Sequence, residues 1–80
     1  MNLAVMHLEK RVYSRQEMAE LFDLNLADSG HFKRNLERKL QNLGYGYEYS
    51  TESVEITHIP TTDVERLKMI LIVVFGLDVQ

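Results

Sequence analysis

The chain contains no cysteine. A disulfide framework, a thiol nucleophile and a Cys-ligated zinc site are therefore excluded, and the composition is compatible with a reducing compartment. The longest apolar run, Met69–Phe75 followed by Gly76 and Leu77, falls far short of the ~20 residues a membrane-spanning helix needs. Met1–Lys10 lacks a basic segment leading into an apolar one, so no secretory signal is read there. With 9 Lys and Arg against 12 Asp and Glu, the net charge is −3, and the whole chain shows no basic excess toward nucleic acid. There is no low-complexity tract and no internal repeat. What is present is 80 residues, 45% hydrophobic and 26% charged, the profile of a single small domain spanning 1–80, expected to be soluble and cytoplasmic. A chain of this size buries only ~60% of its extended surface, so a partner would add needed stability.

Catalytic signatures are missing as well. His7, His31 and His58 fall on three separate segments, and no two share a helical metal-ligand spacing. No serine sits in a G-x-S-x-G elbow, and Gly44-x-Gly46 reads as a helix stop and a strand start rather than a phosphate loop. Asp28 near His31 reads as a helix cap beside a surface imidazole, and Glu48 and Glu55 at most face each other across a hairpin. No enzyme, metal or cofactor is expected.

Local patterning predicts an α+β fold, mainly helical. A short helix is expected over 2–10, where Leu3, Met6 and Lys10 fall at helical spacing, followed by a brief extended link at Val12-Tyr13. Ser14-Arg15-Gln16-Glu17 is a capping box and opens a helix over 15–22 that buries Met18, Ala19, Leu21 and Phe22. Asp28 or Ser29 caps a third helix over 30–43. Its Phe32, Leu36, Leu40 and Leu43 form one apolar stripe, and Gly44 closes it. Two period-two runs over 45–50 and 54–59, joined by Thr51-Glu52-Ser53, predict a β-hairpin that Pro60 ends. The stripe of Tyr45, Tyr47 and Tyr49 on one strand face reads as packing rather than as a stacking platform. Thr62-Asp63-Val64-Glu65 is a second capping box and starts a fourth helix over 63–75. Val64, Leu67 and Leu71 are its expected inner face. From Met69 to Phe75 it is apolar on every side; the β-branched content would also suit a strand, but the continued phase favours helix.

This order of helix, link, helix, turn, helix, hairpin and helix resembles the winged helix-turn-helix family. The residues that carry the resemblance are Tyr13–Phe22, with the small Ala19 where two helices approach, then Phe32–Leu40, which is similar to a recognition helix, and Leu43-Gly44-Tyr45, which looks like the turn into a wing. The resemblance covers roughly residues 1–60. It departs from the family in two places. The connector from Ala19 to Phe32 is longer than a tight turn by about three residues, and the wing from Ser50 to Val54 holds no Lys or Arg and carries Glu52, which would repel phosphate.

Charge is concentrated unevenly. Met1–Asp28 carries −2, Ser29–Tyr47 carries +3 and Glu48–Gln80 carries −4. The positive excess therefore sits on the third helix. At about 100° per residue, Arg34, Arg38, Gln41 and His31 project away from the apolar stripe, with Lys33 and Asn35 on the flanks. These side chains suit base edges and phosphates. The resemblance implies a bacterial or phage transcription or replication regulator binding double-stranded DNA. Ser29 and His31 would enter the major groove first, His31, Asn35 and Gln41 would face base edges, Arg34 and Arg38 bases or phosphates, and Lys33 and Lys39 phosphates. A single small basic face binds weakly, so a homodimer is expected, with residues 62–77 as a dimerisation or docking helix through Ile70, Ile72, Val73, Val74 and Phe75. Two alternatives stay open: a protein-interaction module of the same fold without DNA binding, and the N-terminal part of a longer chain whose remainder covers that helix.

Overall fold

A computed structural model describes residues 2–76, Ser29 by its backbone alone. Among the described residues the fold is α+β, with three α-helices and one antiparallel three-stranded sheet. In chain order these are a 3-10 helix (Leu3–His7), β1 (Val12–Ser14), α1 (Arg15–Phe22), α2 (Ser29–Leu43), β2 (Gly46–Tyr49), β3 (Ser53–His58) and α3 (Asp63–Val73).

The local signals set the helix ends. The Ser14 hydroxyl accepts from the Glu17 amide at 3.0 Å while the Glu17 carboxylate accepts from the Ser14 amide at 3.1 Å, so two otherwise orphaned amides are satisfied. Asp28, not Ser29, caps α2 by accepting from the His31 amide. Gly44 ends α2 at φ 90°, a left-handed conformation that a side chain would strain. Its amide and that of Tyr45 close on the last turn of the helix. Thr62 caps α3 by accepting from the Glu65 amide, but there the Glu65 carboxylate accepts from the Thr62 hydroxyl instead of from its backbone.

The core is built on α2. Phe32, Leu36, Leu40 and Leu43 are each at most 1% exposed and face Val5, Leu8, Met18, Phe22, Val54, Ile56 and Met69 in one apolar cluster. Burial of each such side chain contributes roughly 1.5–3 kcal/mol.

Two expectations are corrected and one is sharpened. The helix over 2–10 is only a five-residue 3-10 turn, and Leu8 beyond it is extended. The amides that would continue the helix are used elsewhere: Leu8 N–H donates to the Tyr45 hydroxyl and Glu9 N–H to the Tyr13 hydroxyl. The link at Val12-Tyr13 is a strand. β1 pairs with β3, Tyr13 opposite Val54, and gives the strand order β1-β3-β2. In α3, which ends at Val73, the inner face is not Val64, Leu67 and Leu71. Val64 is 78% and Leu67 57% exposed, and Leu71 is half-buried, whereas Met69 is buried and Ile72 and Val73 pack against the core. A helix apolar on both faces does not reveal from its period which one turns inward. Leu77, the last residue of the expected docking helix, lies outside the described residues.

Tyr45 ties the N-terminal turn to the hairpin. Its buried hydroxyl donates to the Val5 carbonyl at 2.6 Å and accepts from Leu8 N–H, and burial raises its pKa. Tyr45→Phe should strand both backbone groups without changing the packing much, at a cost of about 1–3 kcal/mol. A urea-unfolding midpoint equal to wild type would contradict this tie.

Candidate functional site

The burial of the α2 stripe determines which of its residues face out. Of the side chains named from the sequence, Arg34 and Arg38 meet the expectation most simply. Both are exposed, they stand one turn apart on the same helix face, and among the described residues neither is paired with a carboxylate.

The other predicted residues are disposed differently. His31 is exposed, and its Nδ1 is hydrogen-bonded to the Asp28 carboxylate that caps the helix. Lys33 lies with Nζ 5.4 Å from the centre of the Tyr49 ring, close enough for a cation–π contact. Gln41 donates to the Tyr47 hydroxyl, which in turn donates to Glu37, both at 2.9 Å. Burial, and then the Glu37 carboxylate, raise the Tyr47 pKa against the opposing Gln41 amide. Asn35 and Lys39 are half-buried. The Ser29 side chain lies outside the described residues.

A pattern links these placements. Lys33, Glu37 and Gln41 recur every four residues along one side of α2, and the tyrosines of β2 lie against that side. The hairpin thus occupies one flank of the helix, and the open arc is narrower than the sequence suggests. It is centred on Arg34 and Arg38. The tyrosines serve packing and hydrogen bonding, as the alternation indicated.

Arg15 was missed. Its guanidinium stacks 5.4 Å over the ring of Phe32, in the first turns of α2, and its Nε is buried without a hydrogen-bond partner. This places a further cation beside the helix. Its position at the start of α1 carried no sequence signal for that, because the contact joins two helices. Arg11, by contrast, is neutralised by Glu17 at 2.9 Å.

Negative charge lies elsewhere. Glu48 and Glu55 are exposed and directly opposed across β2 and β3, and Glu52 is exposed at the hairpin tip. Among the described residues no three His, Asp or Glu side chains converge as metal ligands, and no helix is long and apolar enough to cross a membrane. Comparison of the chain with protein-family models, with curated proteins and with solved structures finds no match.

Asp28 joins the site to stability. The imidazole of His31, and then the His31 amide, hold its carboxyl below the usual range. A carboxyl depressed on folding contributes stability that is complete above its unfolded pKa and is lost as pH falls through the folded one. Asp28→Asn keeps an acceptor for the His31 amide but cannot titrate. Its urea midpoint should therefore fall less than that of wild type on acidification through the carboxylate range. Identical pH profiles would refute a role for this carboxylate.

Proposed function

We propose that the chain is a duplex-DNA-binding module of winged helix-turn-helix type, with α2 as the recognition helix and the β2–β3 hairpin as a wing. The observation that carries the reading is the pair Arg34 and Arg38, exposed one turn apart without a carboxylate partner among the described residues. Arginine there can grip phosphates or bond a guanine edge. The arrangement of elements supports it: a capped short helix precedes α2, and a hairpin follows directly and lies along its flank. Lys33 and Arg15 add charge at the margin of the arc. The hairpin tip, with Glu52 and no cation, contributes no phosphate contact in this reading. The module is a binding unit without catalytic role or cofactor, acting in the cytoplasm of a bacterium or in a phage-infected cell as a transcription or replication regulator.

A second reading, a protein-interaction module, is favoured by the opposed Glu48 and Glu55 on the outer sheet face and by the net charge of −3. One experiment separates the two. Binding to random-sequence duplex DNA should weaken steeply with salt, and Arg34→Gln with Arg38→Gln should reduce the log–log salt slope by roughly 2, about one unit for each lost phosphate contact. Glu52→Lys should tighten binding by placing a cation at the tip. Absence of salt-dependent binding by the wild-type protein would eliminate the DNA reading and leave the protein-interaction one.

A further inference from the structure

Among the described residues, most of the large exposed apolar side chains lie on α3 or directly after it, where Val74 is its helical C-cap. Val64 (78% exposed), Leu67 (57%) and Val74 (54%), with half-buried Leu71, follow one another at intervals of three, four and three residues. That is the spacing of alternating a and d positions in a two-stranded coiled coil. Met69, the buried residue of α3, is two positions from both Leu67 and Leu71, hence about 200° away around the helix. The domain body is therefore behind the stripe and leaves it open to a partner helix.

We infer that this stripe is the seam of a parallel, in-register homodimer in which α3 pairs with α3 of a second copy. The flanking charges select that occupant. With Val64 and Leu71 at a and Leu67 and Val74 at d, Asp63 occupies g and Lys68 the following e. In a parallel pair, g of one helix meets the next e of the other, so Asp63 faces Lys68 of the second copy, twice by symmetry. An antiparallel pair sets g against g and e against e, which separates the two charges. Both residues are exposed, and among the described residues neither takes part in an ion pair within its own chain. The seam differs from the one expected from sequence: of those five residues, Val74 lies on it, Ile70 and Phe75 are exposed beside it, and Ile72 and Val73 turn to the core. Three turns of helix bury on the order of 1,000 Å² in total, the low end for a specific interface, so a dissociation constant in the micromolar range is expected.

Sedimentation equilibrium of the whole chain, without DNA, should show a monomer–dimer equilibrium. Leu67→Glu, at an already exposed position, should leave the circular dichroism spectrum unchanged and weaken association at least about tenfold. Asp63→Lys and Lys68→Asp should each weaken self-association, while the double variant carrying both substitutions should recover it, as the parallel register re-forms both ion pairs with their signs exchanged and an antiparallel one does not. Since the chain has no other thiol, Leu67→Cys should form an intermolecular disulfide rapidly on mild oxidation. A monomer at all concentrations, a dimer unaffected by Leu67→Glu, or failure of the charge-swapped double variant to recover association would overturn the proposal. Because no nucleic acid is present, these outcomes are independent of the DNA reading.

Discussion

What α2 exposes follows from the burial of four side chains, Phe32, Leu36, Leu40 and Leu43, on one side of the helix. They belong to one apolar cluster with residues of the N-terminal turn, α1, the sheet and α3. Rotating α2 about its axis by even one residue would expose part of that stripe, with a loss of roughly 1.5–3 kcal/mol for each large side chain brought into water. The rotation is thus fixed, and with it the outward direction of Arg34 and Arg38. The chemistry of the open arc is a consequence of packing on the opposite arc.

The hairpin imposes a second constraint on the same helix. Tyr47 and Tyr49 reach from β2 to Glu37, Gln41 and Lys33. These contacts tie α2 to the hairpin and at the same time engage three polar residues on its flank. A side chain engaged in a protein hydrogen bond is less available to a ligand, since binding must first replace that bond. Arg34 and Arg38 carry no such penalty, and this distinguishes them from Gln41 although all three project from the outer half of the helix.

Features governed by local signals were legible in the sequence. The bounds of α1 match the capping box and those of α2 come within one residue of expectation, because Ser14, Asp28 and Gly44 act on their immediate neighbours. The hairpin strands were legible from their alternation. The extended character of Val12-Tyr13 was legible too, but its pairing into the sheet was not: three residues hold too little pattern, and the partner strand lies some forty positions away. The facing of α3 was equally hidden, because Val64, Leu67 and Leu71 and the opposing Met69, Ile72 and Val73 are both apolar sets at helical spacing. In the candidate site, the outward pole of α2 was readable from its own stripe. The engagement of Lys33 and Gln41 by β2, and the stacking of Arg15 on Phe32, depend on contacts between elements and could not be.

The strand order has a consequence for how the chain matures. β3 lies in the middle of the sheet but is its last strand in sequence. While the polypeptide emerges from the ribosome, β1 therefore waits without a neighbour until residues 53–55 arrive. The N-terminal turn is delayed in the same way, because the hydroxyl that anchors it belongs to Tyr45. Closure of these distant loops is slow relative to helix formation. Nascent chains that end within α2 would hold helical segments with no sheet to rest on, and acquisition of the native topology is coupled to synthesis of the hairpin.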